Sequence, residues 1–317
     1  MDNTLYVSAA PHIHSGASTN NIMRDVLIAL APATIVALVY FGWAALWIIL
    51  ACVGSAILSE FLFNLICKRK QTICDLSAAV TGLLLALNLS TNVPIWQCVI
   101  GSVFAIVVVK CLFGGLGKNV ANPAIAGRVL LLISFSAVAG GANPTLFPEV
   151  TSSATPLVDL NNGVQSTSFF NLLFGIHGGA IGETCAIALL AGFVYLVVRK
   201  VIKWYVPFTF AFTVGACYFI YYITKGTDFI NTLKISVDHV LAGGLLLGAI
   251  FMATDYVTTP VSNLGRVVFC IGCGLITFFI RQFGNYPEGV SISILAMNLL
   301  TPLIERFTTP KPLGGVR

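Results

Sequence analysis

Long, unbroken apolar runs joined by short polar links dominate this chain. Ten such segments can be read along it: Ile22–Phe41 and Ala44–Ile66, split at Gly42, then Leu76–Leu89, Ile95–Leu112, Val120–Phe135, Ala180–Val198, Val206–Ile223, Val240–Ala253, Val267–Arg281 and Val290–Ile304. A polar stretch, residues 136–179, separates the first five from the last five. In a bilayer every backbone polar group must be satisfied within a helix or a closed barrel, and continuous rather than alternating apolar runs favour helices. The pattern therefore predicts an all-α integral membrane protein of about ten transmembrane helices. About 20 residues are needed to cross ~30 Å of hydrocarbon, so Leu76–Leu89 and Val240–Ala253 are expected to be short or broken.

An odd number of crossings per half would start the second half on the opposite side and invert it. Two local echoes agree with two inverted five-helix repeats. Asp75–Leu89 resembles Asp238–Phe251, and a proline link, Asn122-Pro123 or Tyr286-Pro287, precedes the last segment of each half. Inverted repeats with broken helices are typical of transporter folds. The expected organisation is a cytoplasmic segment 1–21, a first repeat 22–135, an extracytoplasmic loop 136–179, a second repeat 180–304 and a cytoplasmic tail 305–317.

Composition strengthens the membrane reading. Of 317 residues, 57% are hydrophobic and 9% charged, against about 25% charged in a soluble domain. Cations orient the chain. Arg24, Lys68-Arg69-Lys70, Lys110 and Lys118, Arg199, Lys200 and Lys203, Arg266, then Arg306, Lys311 and Arg317 fall on alternate links, while Lys225, Lys234 and Arg281 fall opposite. Lys and Arg accumulate on the cytoplasmic side, so both termini are expected there, in the inner membrane of the cell, with the loop around residues 136–179 outside. No basic patch suggests nucleic acid. Most of the nine cysteines lie in apolar segments. Cys270 and Cys273 have redox-motif spacing but sit in a predicted span, where small packing residues are the simpler reading.

Three places could carry chemistry. In Phe113-Gly114-Gly115-Leu116-Gly117-Lys118-Asn119 followed by Asn122-Pro123-Ala124, glycines permit a turn, Asn122 suits a helix N-cap and Pro123 the first helical position. Such a helix start could face a cofactor, substrate or ion, or simply be a turn between spans. Asp255 opens a second irregular region, Thr254–Pro260, as an ion or cofactor ligand or a solvated helix end. Glu60, Arg128 and Glu183, like Asp255, lie near predicted span ends, where snorkelling to water lowers the cost of charge. Finally, Thr155 precedes Pro156 and is pushed towards an extended backbone on the outer loop; on physical grounds alone this is a solvated loop. His12 and His14 make a poor helical pair, and His177 and His239 are isolated, so no metal site is assigned.

At these residues the chain resembles a known family: the D subunits of Rnf ion-translocating electron-transfer complexes, related to the B subunits of sodium-pumping NADH:quinone oxidoreductases. The likeness is carried by Ser8–His14, Ile22–Leu27 with Ala31-Pro32, the Gly-rich link with Asn122-Pro123-Ala124, Ala253–Asp255 with Thr258–Pro260, and Ser153–Pro156. The last resembles a flavinylation motif, Ser-Gly-Ala-Thr, with Ser153 in place of its glycine. The resemblance implies a covalent FMN phosphoester on Thr155, a tether rather than a nucleophile. It also implies riboflavin as a second flavin, whose ligands the sequence does not assign, although Asn122, Pro123 and Asp255 are candidate cofactor contacts.

The implied activity is electron relay within a complex coupling ferredoxin and NAD chemistry to Na⁺ or H⁺ translocation. Its partners would be the other membrane and peripheral subunits and membrane lipid. The competing expectation is a channel or carrier for a small polar solute such as urea or ammonium, which inverted repeats and broken helices fit equally well.

Overall fold

The computed structural model describes residues 18–135, 157, 160, 168–183, 185–284 and 288–308, and among these the regular elements are all helices. Helix α1, Thr19–Ile66, is 48 residues long. At about 1.5 Å per residue it is long enough for two crossings. Gly42 divides it with φ 60° and ψ −140°, a conformation that glycine adopts at little cost, at the split that the sequence predicts. A 3₁₀ turn, Ile73–Asp75, leads through Leu76 (φ 60°) into α2, Ser77–Leu87. Helix α3, Ile95–Val103, continues as a π-helical segment, Phe104–Cys111. Helix α4 is Pro123–Ser134 and α5 is Phe169–Phe174.

The second half holds α6, Ala186–Val198, α7, Tyr205–Thr224, and α8, Phe229–Leu241. A short α9, Leu245–Leu247, runs into a π turn, Gly248–Met252. Helices α10, Asn263–Phe283, and α11, Val290–Thr308, complete the chain. Each predicted apolar segment contains helix. Four helices (α1, α7, α10 and α11) are long and apolar enough to cross a membrane, and α8 with α9, bent by 62° at their break, would make a fifth. Helices α2, α4 and α6, and α3 with its π extension, are shorter apolar helices.

Helix α8 is the main departure from the expected elements. The sequence places a charged link there, because Asp228, Asn231, Thr232, Lys234, Ser236 and Asp238 interrupt the apolar run. The helix is amphipathic with its polar side inward: Thr232, Ser236, Asp238 and His239 are buried, whereas Phe229, Ile230, Leu233 and Val237 are exposed. That inversion suits a chain whose surroundings are apolar. The exposed surface agrees, with Trp43 at 75% and Trp47, Trp96, Trp204, Phe208 and Phe212 all exposed. Large contiguous apolar surface of this kind marks a membrane or partner interface.

Close helix packing depends on small residues, as in other membrane bundles. A Cβ at Gly82 would lie 2.8 Å from Cys52 O and from Val53 Cα, so glycine lets α2 lie directly on α1. At its far end, α2 receives two backbone bonds from the link before α6, Ile181 N to Leu89 O (2.9 Å) and Gly182 N to Leu87 O (2.7 Å). These bonds hold the link that carries Glu183 against the end of α2.

Candidate functional site

Helix α4 joins two buried polar sites, one at its first turn and one a turn and a half along. At its start Asn122 is the N-cap. Its Oδ1 accepts from Ala124 N (3.0 Å) and Ile125 N (3.4 Å), and Pro123 takes the first helical position. The link before it turns through Gly114, Gly115 and Gly117, with φ 114°, 92° and 91°. The Asn298 side-chain amide lies 3.1 Å from Asn122 N and 3.2 Å from Thr258 O, and with its oxygen turned towards Asn122 it accepts from the first and donates to the second. The first amides of α4 are thus largely taken by protein acceptors, which narrows the sequence expectation that they face a ligand.

Asp255 arrives from the turn after α9. It accepts from Val257 N (3.4 Å) and Thr258 Oγ1 (3.1 Å), the local bonding that a short carboxylate side chain gives a turn. Burial pushes its carboxyl up from the ordinary value, opposed by those two hydrogen bonds. Asn122, Pro123 and Asp255 line one pocket of about 80 Å³, together with Asn119, Lys110 and Tyr256. Asn119 Oδ1 is buried there without a protein partner. The sequence points to the first three residues and not to Asn119, although it stands three positions before Asn122 in the same Gly-rich motif.

Beside this pocket, Lys110 Nζ lies 2.9 Å from both oxygens of Glu60 and 2.8 Å from Ser77 Oγ, and Thr72 donates to Glu60 (2.6 Å). The second site centres on Arg128, which contacts Glu288 and Asn88 Oδ1 closely and Glu183 at 3.4 Å. The expectation that Glu60, Arg128 and Glu183 snorkel to water is therefore corrected. They are 2%, 5% and 2% exposed, respectively, because partners inside the bundle replace water. Lys110 and Arg281, read as link cations, are also buried. Arg281 donates to His239 O (2.7 Å) and Ala242 O (3.3 Å), satisfying carbonyls at the end of α8.

Thr155 lies outside the described residues, as do His12, His14 and most of residues 136–179. Two neighbours of Thr155 in sequence are described. Leu157 and Leu160 are buried with Leu172 and Ala242, and Tyr222 donates to Leu160 O (3.2 Å). Leu157 lies against Gly243 (φ 73°), beside Arg281. Cys270 and Cys273 are buried within α10. His239 is buried and stacks on Tyr218 with ring centroids 3.6 Å apart.

A sequence model described as the NQR2, RnfD, RnfE family matches residues 6–314. The chain is 44% identical over 314 residues to the D subunit of the Na(+)-translocating ferredoxin:NAD(+) oxidoreductase complex of Acetobacterium woodii, covering 98% of this chain and 95% of that one. It is 37% identical to the D subunit of the proton-translocating ferredoxin:NAD(+) oxidoreductase complex of Clostridium ljungdahlii, over 99% and 98% of the two chains. Against the D subunit of the ion-translocating oxidoreductase complex of Escherichia coli O1:K1 the identity is 35%, over 97% and 98%.

Proposed function

The chain belongs to the NQR2, RnfD, RnfE family, and from that membership we propose that it is a membrane subunit of a redox-driven ion translocase of the ferredoxin:NAD oxidoreductase type. It is not catalytic alone. It relays electrons within a complex of membrane and peripheral subunits that moves Na⁺ or H⁺. The observation that carries this reading is similarity along nearly the whole chain, 44% over 98% of its length, to one component of such a complex.

The proposed architecture is two inverted five-helix repeats, 22–135 and 180–304, in the inner membrane with both termini cytoplasmic and the loop 136–179 outside. The cation distribution supports this orientation. The break before each short inner helix, at Leu76 (φ 60°) before α2 and at Gly243 (φ 73°) before α9, supports the repeat.

FMN is proposed to be esterified through its phosphate to Thr155 Oγ1. The flavin would supply the redox chemistry, while the chain holds it in place and sets its surroundings. Support comes from the motif Ser153-Ala154-Thr155 and from the buried anchors Leu157 and Leu160, which tie the chain just after Thr155 to α5 and to the end of α8. For a second flavin, the pocket of Asn122, Pro123 and Asp255 offers the unpartnered Asn119 Oδ1. At about 80 Å³ it does not enclose a whole isoalloxazine. These residues are proposed to meet only the edge of a cofactor, and riboflavin is given no further ligands.

The deciding experiment is mass spectrometry of the chain expressed in a flavinylating host. The peptide containing Thr155 should carry the FMN mass and lose it in Thr155→Ala; retention in that variant overturns the attachment. A chain without flavin fluorescence after denaturing electrophoresis would favour the solute-carrier alternative.

A further inference from the structure

The cluster around Arg128 contains more carboxylate than its guanidinium can satisfy. Two acidic side chains approach Arg128 from different elements, Glu183 from the link before α6 and Glu288 from the link before α11. Arg128 makes its close contacts with Glu288 and with Asn88 Oδ1, and reaches Glu183 only at 3.4 Å. Glu183 is 2% exposed, and its Oε2 has no hydrogen-bond partner. Both carboxylates contact the same guanidinium nitrogen, Arg128 Nη2, which sets the two carboxyl groups side by side.

The remaining charged and titratable groups facing the pair leave this arrangement unchanged. Arg281 of α10 is engaged with His239 O and Ala242 O. His177, from the link after α5, and Glu183 Oε2 both border Gly179, at 3.9 and 3.8 Å from the position its Cβ would take. His177 Nδ1 lies 3.0 Å from Gly178 O. Glycine at position 244 makes room for the cluster, since a Cβ there would stand 2.6 Å from Glu183 Oε1 and 3.5 Å from Arg128 Nη1.

An ionised carboxylate with a bare oxygen is costly away from water, and two neighbouring carboxylates, Glu183 buried and Glu288 part-buried, resist ionising together. We propose that Glu183 and Glu288 form a proton-binding site that holds one exchangeable proton between them. Glu288 is ionised against Arg128, and Glu183 is the carboxylic acid that donates to it. Proton uptake converts the Glu183 carboxylate to the acid and release restores it, with no bond changed other than O–H. A sodium ion fits less well. The guanidinium already supplies a positive charge to both carboxylates, and the described residues contain no group of three or more His, Cys, Asp or Glu placed to hold a metal ion. Within the translocase, and resting on the function proposed above, this pair is the chain's own proton carrier.

The test is infrared spectroscopy of the purified full-length chain in detergent at neutral pH. The wild type should show a protonated carboxylic acid band that shifts in D₂O. Glu183→Gln should lose it, and Glu183→Asp should retain an acid band at an altered frequency. A band unchanged in both variants, or absent from the wild type, overturns the proposal. So does a wild-type band abolished by sodium chloride but not by choline chloride, which would make the site one for a metal cation. Should Glu183→Gln not fold, Glu183→Asp alone decides. Flavin fluorescence of the same samples separates the two readings: a flavin-free chain that keeps the Glu183 band refutes the electron-relay function and leaves the proton site standing.

Discussion

Lys110 and Glu60 form an ion pair 2.9 Å long across two helices, and neither side chain is more than 3% exposed. Ser77 and Thr72 supply further polar contacts, so little of the charge is left unsatisfied. Burying two charges is expensive, and the attraction offsets that cost only when geometry and hydrogen bonding are good. Removing one partner is therefore worse than removing both. Glu60→Ala is expected to destabilise the chain by about 3–5 kcal/mol, whereas Glu60→Leu combined with Lys110→Met is expected to be close to neutral. Thermal unfolding of the detergent-solubilised chain, followed by size-exclusion chromatography, checks this. A single variant no less stable than the double variant would show that the pair is not buried as described.

Much of the fold is legible in the sequence because a bilayer imposes a single strong signal, continuous apolar length. Gly42, the turn through Gly114, Gly115 and Gly117, the cap at Asn122 and the turn at Asp255 are all readable from local residue chemistry. Helix α8 is not, because hydropathy averages over faces. A helix that hides Thr232, Ser236, Asp238 and His239 and shows Phe229 and Leu233 reads as a mixed link. The buried ion clusters are illegible for a different reason. Lys110 and Glu60 are 50 positions apart, and Arg128 and Glu288 are 160 apart, so only tertiary packing reveals that each charge has a partner. Sequence position near a span end suggests snorkelling, and the structure shows pairing. Asn122 and Asp255 each stand out from local motifs, yet nothing in the sequence shows that they share a pocket.

The pocket around Asp255 should leave a trace in the pH dependence of stability. Burial raises its carboxyl above the unfolded value of about 3.9. Between the unfolded and the raised native values, the folded chain binds more protons than the unfolded one. Stability from this group is therefore fully present below the unfolded value and is lost as pH rises through the native value. Asp255→Asn keeps a side-chain oxygen for Val257 N and cannot ionise. The melting temperature of the wild type, measured relative to that of Asp255→Asn, is expected to fall with rising pH above about 4 and then level off. A difference that does not change with pH, or one that rises, contradicts a buried and raised carboxyl at this position.

Leu157 offers a test of how the stretch bearing Thr155 is held. Its side chain is fully buried with Leu160, Leu172 and Ala242, a small cluster separate from the main core. Leu157→Ala removes apolar volume that neighbours only partly refill, a change worth about 2–5 kcal/mol in well-packed sites. Because the cluster stands apart, the loss is expected to loosen this stretch before it unfolds the bundle. The expected result is faster proteolytic cleavage between residues 136 and 167, with the thermal midpoint of the helical bundle lowered less than in Glu60→Ala. If FMN is attached at Thr155, the flavin fluorescence of the variant should also respond to added quencher more strongly than that of the wild type. Unchanged cleavage and quenching would mean that Leu157 does not hold the stretch, and the attachment would then need support from the residues before Thr155.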